Sequence, residues 1–268
     1  MKTISKREFI KGGMLCMGSI MCAGAFSFVR VPDDKKIWKW SREAIYFSET
    51  PRGIRCGICP NECTLKPGET SICHNRVNLN GKLYSIAYGN PCAVHIDPIE
   101  KKPLLHFMPG SRAFSIATAG CNFACLNCQN WEISQTSPKE TQNIDLMPDK
   151  VVAACLHNQC QSIAYTYSEP ISFYEYVFDT AKLACSQGIK NVFISNGYIN
   201  EEPLKTLVPY LHAANINLKS FSEAIYLKLN AGKLQPVLNT LKTLKENGVW
   251  LEITNLVIPS WTDDFEMI

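Results

Sequence analysis

From Phe114 onward, short apolar runs alternate with longer segments in which apolar residues recur every third or fourth position. Short apolar runs are typical of buried strands, and the longer period is typical of amphipathic helices. The predicted strands are SIATA, SIAYTY, NVFIS, NINL and WLEITNLVIP, and the predicted helices span 149–157, 171–187, 202–211, 222–229 and 234–247. Five strands that alternate with helices predict parallel βα units.

Residues 50–92 have a different pattern, in which cysteines and turn residues interrupt short alternating runs. Asn80-Gly81 between two such runs predicts a β-hairpin. This segment also carries four cysteines at spacings of two, three and nine intervening residues: Cys56, Cys59, Cys63 and Cys73. Four thiolates typically hold structural zinc, although an iron-sulfur cluster needs the same number of ligands, so the sequence leaves the metal open.

Residues 93–112 mix charges with prolines and are interpreted as an ordered linker in which Glu100, Lys101 and Lys102 are solvated. Composition is that of a globular enzyme, with 46% apolar residues, 19% charged residues and a net charge of +3. This balance predicts no nucleic-acid partner. The chain has 13 cysteines, and their grouping in motifs favours metal binding over disulfides.

A second cysteine motif follows the first predicted parallel strand. Cys121, Cys125 and Cys128 have the spacing Cys-x3-Cys-x2-Cys, and Gly120 lets the chain turn into this loop. Three thiolates can hold a [4Fe-4S] cluster and leave one iron open for a small molecule, which indicates catalysis. The alternative is a zinc site that a distant histidine or cysteine completes.

This loop resembles that of radical SAM enzymes, and the strings CQNWEISQ, PCAVHIDPIEKKPLLHFMPGSR and NLVIP resemble the radical SAM member of the AmmeMemoRadiSam system. That group is similar to pyruvate formate-lyase activating enzymes. The resemblance implies a [4Fe-4S] cluster on the three cysteines, whose open iron chelates S-adenosylmethionine. Reductive cleavage of that cofactor would give a 5′-deoxyadenosyl radical, which abstracts hydrogen from a substrate.

The resemblance also implies contacts with the cofactor, although it identifies no catalytic residue in the protein. Ser168 and Glu169 correspond to the positions that hold the methionine amino group, although Tyr167-Ser168 replaces the glycine pair of many relatives. Asn196 corresponds to a position near the nucleoside, and Asn217 and Lys219 stand where relatives usually have Asp-Leu-Lys. From the residues alone, Glu169 could equally be a loop acid before Pro170, and Asn196-Gly197 could be an ordinary turn.

Residues 113–268 are therefore expected to form a partial (βα)6 radical SAM barrel after the cysteine-rich module. The barrel in this family has six βα units, and the sequence ends just after the fifth predicted strand, so we expect a truncated barrel whose fifth strand is an open edge.

Residues 1–30 combine a basic start with an apolar run that ends near Ala23-Gly24-Ala25. This layout predicts a signal peptide or a membrane anchor. Residues 5–11 resemble a twin-arginine signal with lysine in the first arginine position. Because radical SAM chemistry needs cytoplasmic reductants, an anchored chain with a cytoplasmic catalytic domain is one hypothesis, and export is the other.

Three functions are compatible with the sequence. The first is a radical SAM enzyme that takes electrons from a low-potential donor and acts on an unidentified substrate, for which a protein glycine is one candidate. The second is an iron-sulfur electron-transfer protein, and the third is an inactive truncated family member.

Overall fold

The computed structural model describes residues 38–264, which begin with two small antiparallel sheets. One sheet has the order β1-β6-β5 and the other has the order β2-β3-β4. Their strands are β1 (Arg42–Glu43), β2 (Phe47–Thr50), β3 (Gly53–Cys56), β4 (Thr64–Leu65), β5 (Arg76–Leu79) and β6 (Lys82–Ser85). The predicted hairpin is confirmed, because β5 and β6 pair around Asn80 and Gly81, which both have positive φ as a tight turn requires.

A six-stranded sheet follows, with the order β12-β11-β10-β9-β8-β7. Its strands are β7 (Ala93–Pro98), β8 (Arg112–Ala117), β9 (Ser162–Tyr165), β10 (Lys190–Ser195), β11 (Ala213–Asn217) and β12 (Trp250–Thr254). Strands β8 to β12 are parallel, and β7 pairs antiparallel with β8. The predicted α/β architecture with five parallel strands is therefore confirmed.

Helices connect the parallel strands, as the apolar periodicity predicts. The helices are α1 (Trp131–Ser134), α2 (Pro148–His157), α3 (Tyr174–Ser186), α4 (Glu201–Leu207), α5 (Glu223–Ile225) and α6 (Leu234–Glu246). Short 3-10 segments cover Ile99–Lys101, Pro170–Phe173 and Val208–Tyr210, and a π-helical turn covers Tyr226–Asn230. The sequence predicts one helix over 222–229, whereas the structure has the short α5 followed by the π-helical turn.

The two faces of the large sheet are covered differently. Alternate residues such as Phe114, Ile116 and Ile163 pack with the helices in the main core. The residues between them, including Ala113 and Ala164, pack against a segment that crosses the other face and contributes Ile99 and Leu104. This alternation is the period of two that a strand buried on both faces requires.

The crossing segment corrects the interpretation of residues 93–112 as a linker. Asp97 belongs to β7, and Lys102 follows it with a fully buried side chain. Lys102 Nζ donates to Asp97 Oδ2 at 2.5 Å and to the hydroxyl of Tyr167 at 3.3 Å, and Lys101 Nζ donates to Asp97 Oδ1 at 2.9 Å. The prediction that Lys102 is solvated is wrong, because the carboxylate and the phenol compensate its buried charge.

Between residues 38 and 264, no helix has the length and apolarity needed to cross a membrane. The predicted signal or anchor in residues 1–30 lies outside the described residues.

Candidate active site

The three-cysteine loop lies at the carboxyl end of β8, where the loops of a parallel sheet converge. Phe123 anchors the loop, because its ring is buried and packs 4.8 Å from the ring of Tyr198. The thiols of Cys121, Cys125 and Cys128 are half-buried around this anchor. The loop is therefore fixed by packing in its middle and leaves its sulfurs near the sheet end.

Hydrogen-bond donors face two of the three sulfurs. Asn230 Nδ2 donates to Cys125 Sγ at 3.1 Å, and the backbone N–H of Phe123 donates to Cys121 Sγ at 3.4 Å. The π-helical turn also accepts two backbone bonds from the loop, one from Ala124 to Asn230 and one from Leu126 to Leu229. Donors to sulfur stabilise the thiolate, which is the form that binds metal.

Burial opposes this stabilisation. It raises the pKa of Cys121 well above the ordinary value of 9.0, and it raises the pKa of Cys125 while the bond from Asn230 lowers it. Cys121 and Cys125 therefore favour the protonated thiol near neutral pH, and binding of a metal must release these protons.

Glu169 joins the ends of β9 and β10. Its Oε1 atom accepts from the hydroxyl of Ser195 at 2.7 Å and from the N–H of Ile171 at 3.1 Å, and its Oε2 atom accepts from the N–H of Asn196 at 2.8 Å. Burial raises its pKa to about 7, although these bonds lower it. A carboxylate has about four acceptor positions, so one remains for a further donor.

Two asparagines extend this network to the cysteine loop. Asn196 Nδ2 donates to Asn122 Oδ1 at 2.8 Å and lies 4.0 Å from Cys121 Sγ. Asn122 Nδ2 donates in turn to the carbonyl of Tyr198 at 2.8 Å. Asn196 is thus held beside the first cysteine, where the sequence predicts a cofactor contact.

The remaining predicted contacts lie at the same end of the sheet. Ser168 Oγ donates to the carbonyl of Thr118 at the start of the cysteine loop, at 2.6 Å. Lys219 Nζ donates to Asn217 Oδ1 at 3.3 Å after β11. Its positive charge lowers the pKa of Glu169 and of Cys125, so this lysine lies within electrostatic reach of both groups.

The sequence does not predict the roles of Asn122, Phe123 and Asn230. Asn122 and Phe123 lie inside the cysteine motif, so their position was a usable signal. Asn230 lies 105 residues from the thiol that it contacts, and no local pattern indicates that contact.

The four cysteines of the earlier motif lie together beside the small sheets. Cys56, Cys59, Cys63 and Cys73 line one cavity together with Arg76 and Asn122. In the described part of the chain, no group of three or more His, Cys, Asp or Glu side chains has the spacing of a bound metal ion, and this holds for both cysteine sets.

The sequence of this chain matches the model of a known protein family. The model of the Radical SAM superfamily matches residues 115–268, which is more than half of the chain and includes the end of β8, the three-cysteine loop and the other four parallel strands. The chain belongs to the radical SAM superfamily. Members of this superfamily are enzymes that cleave S-adenosylmethionine with an iron-sulfur cluster.

Individual proteins are also similar to this chain. This radical SAM protein is 44% identical over 226 residues to an uncharacterized protein of Methanocaldococcus jannaschii, an alignment that covers 84% of this chain and 67% of that protein. It is 26% identical over 160 residues to pyruvate formate-lyase 1-activating enzyme of Escherichia coli strain K12, covering 58% of this chain and 65% of the enzyme. The chain thus spans about two thirds of the length of these relatives.

Among solved structures, a radical SAM methyltransferase from Sphaerobacter thermophilus is 15% identical, with 60% of this chain and 51% of that chain covered and a TM-score of 0.47. We assign nothing to this radical SAM protein from that weak likeness.

Proposed function

We propose that this chain cleaves S-adenosylmethionine reductively at the carboxyl end of its parallel sheet and abstracts hydrogen from a substrate. The observation that carries this proposal is the three-cysteine loop after β8, with amide donors on its sulfurs and Glu169, Asn196 and Lys219 gathered beside it. When bound, a [4Fe-4S] cluster would supply the open iron and the electron that break a sulfur-carbon bond of the cofactor.

The donor set fits such a cluster. Cys121, Cys125 and Cys128 provide three soft sulfur ligands on one short loop, which is the count that leaves one iron open. The N–H groups of Asn230 and Phe123 face the sulfurs and would stabilise them as thiolates.

The surrounding side chains suit the charges of S-adenosylmethionine. The fourth acceptor position of Glu169 can take a hydrogen bond from the methionine ammonium, because the other three positions are already filled from β10 and the following turn. Lys219 can pair with the methionine carboxylate. Ser168, Asn196 and Asn217 offer neutral donors and acceptors at the same sheet end.

Similarity to an activating enzyme supports a protein substrate and a low-potential electron donor as partners. A glycine of another protein is therefore the substrate class that we propose, and membership of the AmmeMemoRadiSam subfamily is part of the same proposal. The predicted signal or anchor in residues 1–30, with the catalytic domain in the cytoplasm, also remains a proposal.

The decisive experiment uses the full chain under anaerobic conditions. Iron and sulfide are supplied, S-adenosylmethionine and dithionite are added, and 5′-deoxyadenosine is quantified. The variants are a triple Cys121→Ala, Cys125→Ala, Cys128→Ala variant and a Cys155→Ala control, because Cys155 is a buried thiol of α2 outside both cysteine sets.

We expect product from the native chain and from Cys155→Ala, and none from the triple variant. Equal product from the triple variant would contradict the assigned ligands. A reducible cluster that yields no product in the native chain would contradict the proposed cleavage.

A further inference from the structure

We infer that Cys56, Cys59, Cys63 and Cys73 form a second metal site, which takes one tetrahedral ion of the zinc class. Cys56 ends β3, Cys59 and Cys63 lie in the turn between β3 and β4, and Cys73 precedes β5. The backbone N–H of Cys56 donates to the carbonyl of Cys63 at 3.0 Å, which closes the turn. Its ligands are different residues from those of the three-cysteine loop, and it does not depend on the proposed radical chemistry.

The cavity between these thiols is small. Its volume is about 20 Å³, and its walls include all four cysteines, Ser71 and Arg76. A space of this size holds roughly one water molecule. It therefore suits a single ion, whereas a cluster of eight iron and sulfur atoms needs several times that room.

A buried arginine also lines the cavity, and one of its donors lacks a partner among the described residues. Arg76 is almost fully buried, and its Nη1 atom donates to Glu175 at 2.6 Å. Its Nη2 atom has no hydrogen-bond acceptor among residues 38–264, although Arg76 lines the cavity. Four thiolates around a divalent ion carry a net charge of −2, which would give this orphaned donor an anionic partner.

One hydrogen bond already reaches a sulfur of this set, because Ser71 Oγ lies 3.1 Å from Cys73 Sγ. Hydrogen bonds of this kind orient metal ligands. Since the described thiols do not yet have the spacing of a bound ion, metal entry must draw the turn and the Cys73 loop together.

The metal site touches the three-cysteine loop through three contacts. Asn61, which lies between Cys59 and Cys63, donates through Nδ2 to the carbonyl of Asn122 at 2.8 Å. Asn75 Nδ2 donates to the carbonyl of Ala119 at 2.7 Å. The carbonyl of Cys73 lies 2.3 Å from the position that a Cβ atom on Gly120 would take. A metal that fixes the turn would therefore also fix the start of the catalytic loop.

The binding test uses the full chain as the triple Cys121→Ala, Cys125→Ala, Cys128→Ala variant, so that its outcome is independent of the proposed function. Cobalt(II) is titrated as a spectroscopic substitute for zinc, and zinc is then used to displace it. We expect one cobalt per chain with the intense visible bands of tetrahedral thiolate coordination, and displacement by one zinc.

Adding Cys59→Ser to this background should weaken cobalt binding at least tenfold, whereas adding Cys155→Ser should leave it unchanged. No stoichiometric binding, or binding that Cys59→Ser does not weaken, would overturn the inference. Assembly of an iron-sulfur cluster on these four cysteines in place of zinc would overturn the assignment of a single ion.

A separate experiment tests whether metal binding at the four cysteines also fixes the three-cysteine loop. Hydrogen exchange of residues 119–126 is measured in the same triple cysteine-to-alanine variant, with and without zinc. Zinc should slow exchange in this loop. Asn61→Ala should reduce that slowing, because it removes one of the three contacts, while zinc affinity stays within about twofold, because Asn61 contributes no ligand. Equal exchange with and without zinc would refute this effect on the loop, and the cobalt titration would still decide whether the metal site exists.

Discussion

At the scale of single residues, the charge of Glu169 affects both the stability of the fold and the proposed binding of S-adenosylmethionine. Burial raises its pKa to about 7, above the ordinary value of 4.5. A protonated Glu169 therefore favours folding at low pH, and this contribution is lost as the pH rises through about 7. Its proposed contact with the methionine ammonium requires the opposite, ionised form.

We therefore predict that affinity for S-adenosylmethionine rises about tenfold between pH 6 and pH 8, because the ionised fraction of Glu169 rises by that factor. Glu169→Gln should bind more weakly and lose this dependence. Equilibrium binding to the cluster-loaded chain measures both effects, with the exposed Glu246→Gln as control. A pH dependence that survives in Glu169→Gln would assign it to another group.

Gly120 is a residue whose replacement tests the contact between the two cysteine sets. Its φ is +100°, and an added Cβ would meet the carbonyl oxygen of Cys73 at 2.3 Å. Gly188 has φ +73° with no atom within 4 Å of such a Cβ among the described residues. We predict that Gly188→Ala lowers the free energy of unfolding by about 1 kcal/mol and Gly120→Ala by at least ~2 kcal/mol more.

Urea unfolding of both glycine variants measures the difference. The two substitutions share the cost of a left-handed backbone, so the excess belongs to the clash. Equal losses in the two variants would mean that the Cys73 loop can move away from Gly120.

At the scale of elements, a buried ion pair joins segments that are distant in sequence. Arg76 on β5 pairs with Glu175 on α3, and both side chains are at most 3% exposed. Glu175 Oε1 also accepts from the N–H of Ile45. This pair fixes the small sheets to the helical face of the large sheet, and it places Arg76 against the four-cysteine cavity.

We predict that Arg76→Met lowers the free energy of unfolding of the metal-free chain by about 3–5 kcal/mol, because it leaves a buried carboxylate without its cation. Adding Glu175→Gln should recover part of this loss, since the unpaired charge is then removed. The matched control is Lys82→Ala, which breaks an exposed pair with Glu43 and should cost at most about 1 kcal/mol. Denaturant unfolding of the four proteins gives the comparison, and a loss of under 1 kcal/mol for Arg76→Met would contradict the argument.

At the scale of the whole molecule, the large sheet has a hydrophobic edge. Strand β12 pairs only with β11 among residues 38–264, and Ile253 is 53% exposed. Val257 follows it with 51% exposure. Unpaired backbone groups beside exposed apolar side chains favour pairing with another chain.

We predict that this chain self-associates through β12 at roughly micromolar concentrations. The double variant Ile253→Lys, Val257→Lys should shift sedimentation velocity profiles toward the monomer, because two charges block strand pairing. The control variant Leu156→Lys, at an exposed position of α2, should leave the sedimentation profile unchanged. Association that persists in the edge variant would place the contact elsewhere.

The sequence by itself determined the five parallel strands, the Asn80-Gly81 hairpin and the position of the three-cysteine loop at a strand end. These features depend on local periodicity, turn chemistry and motif spacing, which are complete within short stretches of chain. The sequence determined the helix ends less closely. The helix predicted over 222–229 is a short α-helix followed by a π-helical turn, and this turn, Tyr226–Asn230, accepts backbone hydrogen bonds from the cysteine loop.

Only the tertiary structure decided which distant groups compensate one another. It buried Lys102 between Asp97 and Tyr167, although the charges around Lys102 suggested a solvated linker. It also brought Asn230 to Cys125, and Arg76 to Glu175 and the four-cysteine cavity. A buried charge or thiol needs a partner whose place in the sequence is unconstrained, and packing of the whole sheet selects that partner.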